Sequence, residues 1–245
     1  MSNYKNFSMF IGYPRSGHSL IGAFLNAHPK ILIAHEYDVV KHVERNVPFN
    51  KIIEGLIERN QWFQQRKNVW NGYSYQIPNQ FQDVNMNYET IGDKKGGKTT
   101  HRFMENNELI DKTLDHIPYN IKWVHVIRNP FNIISSMTRY KDTLEHNTAL
   151  FIKYHNTFQV LKSKVNKSDI INVYHEDLYT EPEKLIVNLV EYLDLTCSDD
   201  YIKDCVSVLY DKPSNTKDKI KWPPELTKHL NAYLKTSDEL QRYLS

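Results

Sequence analysis

The chain has 245 residues, 40% of them hydrophobic, which is enough for one sizeable core and predicts a single domain over residues 1–245. Its 31 Lys and Arg nearly balance 29 Asp and Glu, and the net charge of +2 argues against nucleic acid as the main partner. The sequence shows neither an apolar signal region at its start nor a run of about 18 apolar residues, so we expect a cytoplasmic protein with no membrane partner.

In chain order, the first predicted elements are a strand, a tight loop and a helix. Residues 7–11 have the continuous apolar character of a buried strand, and residues 20–25 carry an apolar stripe with helical spacing. Between them, residues 12–19 hold two glycines with the spacing G-x-x-x-x-G. The backbone N–H groups of such a loop converge on an anion, and the positive end of the helix dipole adds to the attraction. The loop is therefore predicted to bind phosphate.

His18 distinguishes this loop from that of a nucleotide triphosphatase. The triphosphatase pattern G-x-x-x-x-G-K-[ST] has a lysine at this position, which reaches the terminal phosphates. In this chain Arg15 supplies the fixed positive charge instead, and its planar guanidinium suits a pair of phosphate or sulfonate oxygens. The loop indicates anion binding without the lysine of a kinase.

A second strand, two helices and a long aromatic segment are predicted next. The strand covers residues 31–34, a helix begins at about Asp38 with that side chain as its cap, and a longer helix covers residues 50–65. Residues 66–87 are polar and aromatic with little periodicity, which predicts a loop. A loop of this length is either a substrate-binding segment or a surface excursion packed by its own aromatic side chains, and both interpretations stay open.

The rest of the chain alternates strands and helices. A strand at residues 88–92 leads into a polar stretch with two glycines, and a strand at residues 122–127 ends at Arg128, where Asn129 and Pro130 predict the start of a helix. Further predicted elements are a helix over residues 148–164, a strand over residues 169–174 and a helix over residues 182–193. Connections of this length are too long for hairpins, so they predict an α/β fold with a mostly parallel central sheet flanked by helices on both faces. Ligands then bind beyond the carboxyl ends of the strands.

The two cysteines, Cys197 and Cys205, lie eight residues apart in a segment predicted to be helical, which disfavours a disulfide between them. We expect two reduced thiols. His, Asp and Glu residues are not clustered with the spacing of zinc ligands, so no metal site is predicted.

Three segments resemble motifs of the sulfotransferase family. Residues 13–20 (YPRSGHSL) are similar to its 5′-phosphosulfate loop, Y/V-P-[KR]-S-G-T-[ST], with a histidine in place of threonine. Residues 128–136 (RNPFNIISS) look like its 3′-phosphate motif, R-[ND]-P-x-[DE]-x-x-x-S, with Asn132 in place of the acid. Residues 174–195 are similar to its Y-E-D-L-x-x-x-P…F-L-x-L segment, with His175 at the position of the usual tyrosine.

The resemblance implies the sulfotransferase fold, which is related to that of P-loop nucleotide kinases. It also implies transfer of a sulfuryl group from 3′-phosphoadenosine 5′-phosphosulfate (PAPS) to a hydroxyl acceptor. By the same resemblance Arg128 and Ser136 bind the 3′-phosphate, and the 5′-phosphosulfate is held by the loop residues Arg15, Ser16, Gly17, His18 and Ser19. A sulfuryl ester carries one negative charge where a terminal phosphoryl group carries about two. Because less charge has to be neutralised, arginine and backbone N–H groups can replace magnesium, and we expect no metal.

Two residues are candidates for the general base that accepts the acceptor's proton. Glu36 follows Arg15 by 21 residues, which resembles the position of the base in the protein-tyrosine sulfotransferase branch, and it is the first choice. His101 is the alternative, because residues 98–101 (KTTH) are similar to the K-T-H segment of cytosolic sulfotransferases. Lys98 of that segment is expected near the bridging oxygen, where it stabilises the leaving phosphate together with Arg15. A glutamate titrates near about 4.3, so Glu36 needs burial or a tight hydrogen bond to accept a proton efficiently.

The stretch after Pro213 is similar to the family's last loop, which closes over the 3′-phosphate and adenine. Its candidate residues are Lys217, Lys219, Lys221 and Trp222, and no single lysine is singled out.

Two other functions stay open. One is a nucleotide-type kinase with a degenerate loop, which would bind ATP with magnesium. The other is a non-catalytic nucleotide-binding module, which the departures at His18, Asn132 and His175 would suit. The acceptor is equally open among carbohydrates, tyrosine side chains, lipids and small alcohols, as is the oligomeric state.

Overall fold

The computed structural model of the chain describes residues 4–80, 87–139 and 142–244. Its longer strands are formed by the apolar runs that the sequence predicts, and two short strands lie in the aromatic segment. The strands are β1 (Asn6–Gly12), β2 (Ile31–His35), β3 (Val69–Trp70), β4 (Tyr73–Ser74), β5 (Thr90–Lys94), β6 (Ile121–Ile127) and β7 (Ile170–Tyr174).

β1 lies at the centre of a five-stranded sheet with the order β2–β5–β1–β6–β7, and every neighbouring pair in it is parallel. All seven residues of β1 are buried, as expected for a parallel strand that is covered by helices on both faces. Because the strands are parallel, their carboxyl ends meet at one edge of the sheet. The predicted α/β fold class is confirmed, and this edge carries the loops that the sequence singles out.

Helices connect the strands and cover both faces of the sheet. They are α1 (His18–Ala27), α2 (Val39–Glu44), α3 (Phe49–Gln65), α4 (Gly97–Glu105), α5 (Glu108–His116), α6 (Pro130–Thr138), α7 (Leu144–Lys164), α8 (Asp177–Thr180), α9 (Pro182–Glu191), α10 (Asp199–Ser207) and α11 (Pro224–Leu234). Short 3₁₀ helices cover Lys167–Asp169, Lys217–Lys219 and Gln241–Tyr243.

The start of α6 follows the sequence prediction closely. Pro130 is its first residue, and the side-chain oxygen of Asn129 accepts hydrogen bonds from the N–H groups of Phe131 at 3.0 Å and Asn132 at 3.4 Å. A capping side chain followed by proline fixes where a helix begins, because it satisfies backbone donors that have no partner within the helix. The cap therefore sets the position of α6 relative to Arg128.

Hydrophobic clusters lie on both faces of the sheet, because side chains alternate along each strand. Phe7, Met9 and Ile11 of β1 face a cluster shared with α3, α4 and α7, whereas Phe10 faces a cluster shared with α1, α9 and α10. A third cluster surrounds Tyr13 and joins α6, α7 and α11 behind the loop that follows β1. The loop is therefore held in place by the packed side chains of this cluster.

Among the element boundaries that differ from the sequence prediction, two concern strand β5 and helix α7. β5 lies two residues later than residues 88–92, so Asp93 and Lys94 are buried strand residues. α7 begins at Leu144 rather than at residue 148, because Thr143 caps it by accepting a hydrogen bond from a backbone N–H in its first turn. The first difference changes the site, as described below.

Asp38 stands at the start of α2, but its side chain does not cap that helix. Its carboxylate instead accepts two hydrogen bonds of 2.8 Å from the guanidinium of Arg102 on α4. The prediction of a side-chain cap was therefore wrong, because an ion pair with a distant helix uses the same oxygens.

The aromatic segment contains a small hairpin that the sequence analysis did not predict. β3 and β4 pair in antiparallel fashion around Asn71 and Gly72, which have φ values of 50° and 80°. Consecutive positive φ values are what a two-residue hairpin turn requires, and Asn-Gly adopts them readily. Residues 81–86 of the predicted loop lie outside the described residues.

Cys197 and Cys205 are both free thiols, as expected. Within the described ranges of the chain, no helix combines the length and the apolar character needed to cross a membrane.

Candidate active site

The loop between β1 and α1 has the backbone of an anion-binding turn. Arg15 and Gly17 both have positive φ values, 68° and 98°, and Gly17 immediately precedes the first turn of α1. Ser16 holds the turn by donating a buried hydrogen bond of 2.9 Å to the carbonyl of Tyr13. Alternation of backbone conformation in a turn before a helix directs successive N–H groups towards one point, where an anion is stabilised.

The two arginines of the motifs meet at this loop. Arg15 donates from Nε to the hydroxyl of Ser136 at 3.1 Å, although 121 residues separate them. Arg128 donates from Nη1 to the carbonyl of Arg15 at 3.1 Å and from Nη2 to the carbonyl of Ser214. Arg128 is only 8% exposed, and burial lowers its pKa. The structure therefore brings together Arg15, Arg128 and Ser136.

The position of His18 explains the departure from the threonine of the family pattern. Its ring is buried, with Nε2 donating to the carbonyl of Ile11 at 3.2 Å and Nδ1 lying 3.1 Å from Ser16 Oγ. Space for the ring exists because Gly96 has no side chain: a Cβ there would lie 2.6 Å from the imidazole. Burial lowers the pKa of His18 to about 4. The uncharged ring therefore packs inside the loop and stabilises it through its contacts with Ile11 and Ser16.

Glu36 lies at the carboxyl end of β2, beside the carboxyl end of β5. Its Oε1 accepts a hydrogen bond of 2.6 Å from the ammonium group of Lys94, and its Oε2 pairs with Lys95 at 2.7 Å. Burial alone would raise the pKa of Glu36, but the two lysines together lower it. The carboxylate is therefore charged at neutral pH and held between two cations, and its pKa is shifted in the opposite sense to the rise that efficient proton acceptance was expected to need.

Lys94 connects this carboxylate to residues 12–19, which we call the anion loop after the ligand predicted for it. Its side chain is 1% exposed, and its ammonium group donates to Ser19 Oγ at 3.1 Å as well as to Glu36. The same group lies 3.4 Å from Nε2 of His35, which can only accept from a lysine. Lys94 was not predicted as a site residue, because the strand was expected to end at residue 92. The signal available in the sequence was a pair of lysines, Lys94 and Lys95, directly before two glycines.

Lys98 and His101 occupy a different place, on α4. Lys98 is exposed and takes no part in the pair formed by Lys94 and Glu36. Nε2 of His101 lies 3.1 Å from a carboxylate oxygen of Glu105, one helical turn away. The structure thus joins Glu36 to the loop through Lys94. From the K-T-T-H segment it is Thr100 that contacts the loop, because its hydroxyl accepts from the N–H of Gly12 at 2.9 Å and lies 2.6 Å from the Gly12 carbonyl.

The segment after Pro213 docks on α6. Asn132 binds this segment through two hydrogen bonds. The side-chain oxygen of Asn132 accepts from the backbone N–H of Lys217 at 2.9 Å, and the backbone carbonyl of Asn132 accepts from the Thr216 hydroxyl at 2.6 Å. Trp222 donates from Nε1 to Ser135 at 3.0 Å. An amide at position 132 therefore suits this docking, and the segment lies beside Arg128 through Ser214.

His175 packs directly on the anion loop. A Cβ on Gly17 would lie 2.6 Å from the His175 ring, so the loop and the end of β7 are in close contact. Burial, followed by the charge of Arg128, lowers the pKa of His175 to about 3. The next residue, Glu176, accepts from the backbone N–H of Asn129 at 2.9 Å and so fastens the start of α6.

Metal ligands are not grouped in this region. Across residues 4–80, 87–139 and 142–244, no cluster of three or more His, Cys, Asp and Glu side chains could hold a metal ion.

The architecture is that of a P-loop-type α/β protein, with the loop after β1 at the carboxyl edge of its parallel sheet. The sequence pattern of the Sulfotransferase family matches residues 9–199, which is most of the chain, and the chain belongs to this family. A Caenorhabditis briggsae protein provisionally named a protein-tyrosine sulfotransferase is 24% identical over 208 residues, covering 81% of this chain and 69% of that protein.

Solved sulfotransferase structures share the fold at lower identity. The sulfotransferase domain of the Synechococcus PCC 7002 olefin synthase superposes with a TM-score of 0.60 at 16% identity and covers 97% of both chains. Mouse sulfotransferase SULT7A1, complexed with PAP, superposes with a TM-score of 0.57 at 11% identity, covering 98% of this chain and 88% of the mouse chain. The fold is therefore the sulfotransferase fold that the motifs predict.

Proposed function

We propose that this protein transfers a sulfuryl group from PAPS to a hydroxyl acceptor without a metal ion, with Glu36 as the general base. The observation that carries the proposal is the position of Lys94, whose ammonium group lies 3.1 Å from Ser19 Oγ and 2.6 Å from Glu36 Oε1. One cation thus links the anion loop to the candidate base. Membership of the Sulfotransferase family supports the reaction, and the PAP in the mouse structure supports the donor.

The residues around the loop suit a donor with anionic groups at both ends of its ribose. Loop N–H groups and Arg15 would hold the 5′ end, and Arg128 with Ser136 would hold the 3′-phosphate. The guanidinium of Arg128 is already oriented by two backbone carbonyls, so little side-chain entropy is lost on binding. When bound, PAPS supplies the activated sulfuryl group.

Glu36 and Lys94 would act in sequence at the acceptor side. Glu36 takes the proton of the acceptor hydroxyl while the acceptor oxygen attacks sulfur. A protonated Glu36 attracts Lys94 less, so the ammonium group can follow the negative charge that develops on the leaving phosphate oxygen. Arg15 stabilises the same charge from the loop. His101 as base and Lys98 as cation remain the alternative assignment.

Two amide variants distinguish the candidate bases. Glu36→Gln keeps the shape of the side chain but removes its basicity, so we expect sulfuryl transfer to fall by about 10²- to 10⁴-fold while calorimetric PAP affinity is retained. His101→Gln is the matched control and should keep both properties within about twofold, because Nε2 of His101 pairs with Glu105 on α4 rather than with Lys94 or Glu36. Radiolabelled PAPS, a broad panel of hydroxyl acceptors and excess chelator form the assay.

Three results would count against the proposal. Loss of transfer in His101→Gln with activity retained in Glu36→Gln would reassign the base. A strict requirement for magnesium with ATP as the bound nucleotide would favour the kinase. PAP binding without turnover on any acceptor, unaffected by Glu36→Gln, would favour the non-catalytic module.

A further inference from the structure

Residues 237–243, which follow α11, form a turn that packs behind the anion loop. The backbone carbonyl of Ser237 accepts from the N–H of Leu240 at 2.9 Å, and the N–H of Tyr243 donates to the carbonyl of Leu240 at 3.0 Å. Leu240 is fully buried in the same hydrophobic cluster as Tyr13 of the loop. The segment is therefore one packed unit with a fixed shape.

The start of this segment is connected to the anion loop through a histidine of α7. The Tyr13 hydroxyl lies 2.6 Å from Nδ1 of His155, and Nε2 of the same ring lies 2.8 Å from Ser237 Oγ. All three side chains are buried. The backbone carbonyl of Tyr13 accepts the hydrogen bond from Ser16 that holds the turn of the loop. The side chain and the backbone of Tyr13 thus link residues 237–243 to that turn.

The Ser237 hydroxyl is itself held in place. It donates to Oε2 of Glu239 at 2.5 Å, and Oε1 of the same carboxylate accepts from the ammonium group of Lys162 on α7. Glu239 is only 4% exposed. A buried carboxylate needs such partners, since loss of one leaves its charge uncompensated. The connection from Tyr13 therefore ends on a fixed point of α7.

The end of the segment is connected to the other arginine motif. The Tyr243 hydroxyl donates to Oε2 of Glu176 at 2.5 Å, while Oε1 of Glu176 accepts from the backbone N–H of Asn129 at 2.9 Å. Asn129 directly follows Arg128 and caps α6. The hydrogen bond from Tyr243 therefore fixes the carboxylate that holds the backbone next to Arg128.

We propose that residues 237–243 position both halves of the donor site, and that Ser237 and Tyr243 are positioning residues for PAPS; the proposal rests on the donor proposed above. Ser237 acts on the 5′ half through His155 and the anion loop. Tyr243 acts on the 3′ half through Glu176 and the start of α6. A binding site whose supporting side chains are loosened keeps its residues but loses the geometry that binds the ligand.

The structure of the donor explains why one segment should support both halves. The ribose fixes the distance between the 5′ and 3′ anionic groups of PAPS, so the two anion sites have to keep a matching separation. Tyr13 and Asn129 are 116 residues apart in the chain, yet both are connected to the same short turn. A ligand that engages two sites gains affinity from the second one only where the geometry allows both contacts at once.

Two ligands separate the two halves in binding experiments. PAP carries a phosphate at both positions, whereas adenosine 5′-phosphosulfate has no 3′-phosphate. Tyr243→Phe should raise the Kd for PAP about three- to tenfold and that for adenosine 5′-phosphosulfate by less than about twofold, because only PAP uses the 3′ half. Ser237→Ala should raise both Kd values by a similar factor of about two to five, because both ligands use the loop. Titration calorimetry measures PAP directly and adenosine 5′-phosphosulfate as its competitor.

A second tyrosine provides the matched control. The hydroxyl of Tyr233 on α11 donates to Oδ1 of Asn156 at 2.7 Å, on the exposed side of α7. Tyr233→Phe removes the same group as Tyr243→Phe and should leave both Kd values unchanged. Thermal unfolding is recorded for every variant, since a merely structural role would lower Tm without changing the ratio of the two Kd values.

The outcomes that overturn the proposal are specific to each half. An unchanged Kd for PAP in Tyr243→Phe, or equal losses for both ligands, overturns the role at the 3′ half. Unchanged Kd values in Ser237→Ala overturn the role at the 5′ half. Arg242→Met, which removes the neighbouring ion pair with Asp177 at 2.8 Å, replaces Tyr243→Phe if that variant does not fold. Wild-type protein that binds neither ligand refutes the proposed function itself, so the two failures are distinguishable.

Discussion

The position of the Lys94 side chain depends on a residue that has no side chain. A Cβ on Gly22 of α1 would lie 2.8 Å from Cγ of Lys94, so the lysine stem runs against the helix backbone. Its ammonium group then reaches Ser19, one turn earlier on the same helix. A single helix therefore positions both the loop and the cation that faces it.

Replacement of this lysine tests which cation acts in the reaction. Lys94→Met keeps a long apolar stem but removes the charge, and we expect sulfuryl transfer to fall by about 10²- to 10³-fold, as for loss of one donor to a developing anion. Lys98→Met, on the exposed face of α4, is the control and should retain activity. Steady-state kinetics with PAPS measure both. Full activity in Lys94→Met would indicate that Lys98, and not Lys94, stabilises the leaving phosphate.

At the scale of elements, β5 fixes the turn that carries Glu36. The buried carboxylate of Asp93 accepts hydrogen bonds from three successive backbone N–H groups of the turn after β2, those of Tyr37 (3.0 Å), Asp38 (2.8 Å) and Val39 (3.0 Å). Glu36 itself has a φ of 65°, an uncommon conformation for a residue with a side chain. The three hydrogen bonds hold the turn in that conformation. Asp93 is thus a positioning residue for the candidate base.

Removal of the Asp93 carboxylate should destabilise the protein. Asp93→Ala leaves three buried N–H groups without their acceptor, and we expect the free energy of unfolding in urea to fall by about 3 kcal/mol or more. The exposed Asp115→Ala on α5 is the control and should change it by less than about 0.5 kcal/mol. Equal stability of the two variants would show that the turn does not depend on Asp93.

The same strand marks the limit of what the sequence could predict. Most strands of the sheet follow from apolar runs, and the cap at Asn129 follows from local chemistry, so these features were predicted. Asp93 and Lys94 extend β5 although neither favours a strand, because their partners lie in the turn after β2 and in α1. Such partners are distant in sequence. The role of Gly96 in making room for His18 is hidden for the same reason.

At the scale of the whole molecule, the protein keeps several histidines uncharged in its interior. Burial lowers the pKa of seven described histidines from 6.5, including His28 and His42. The largest shifts are to about 4 for His18 and His155, to about 3 for His125 and His175, and to about 2 for His35. Asp93 shifts in the opposite sense, since burial raises its pKa from 3.8 to about 6. The histidines outnumber this carboxyl group, so they determine the sign of the pH dependence.

Stability should therefore fall as the solution is acidified below about pH 6.5. A histidine with a depressed pKa in the folded state takes up its proton on unfolding, so its contribution is present above 6.5 and is lost as the pH falls towards the folded value. Asp93 works in the opposite direction below about pH 6. Unfolding therefore takes up protons on balance, and each net proton lowers the free energy of unfolding by about 1.4 kcal/mol per pH unit of acidification. Since domains have about 5–15 kcal/mol in total, acid unfolding is expected between about pH 4 and 6.

Urea unfolding at a series of pH values measures this slope, and one variant tests its origin. His125 is stacked on Phe158 with ring centroids 3.6 Å apart, and its Nε2 has no hydrogen-bond partner among the described residues. His125→Phe keeps the stacking and removes one titrating group, so the slope near pH 5 should decrease by about one proton. A free energy of unfolding that is constant from about pH 7.5 to 5 would contradict the argument. An unchanged slope in His125→Phe would mean that this ring is already protonated in the folded protein, because only a buried neutral imidazole takes up a proton on unfolding.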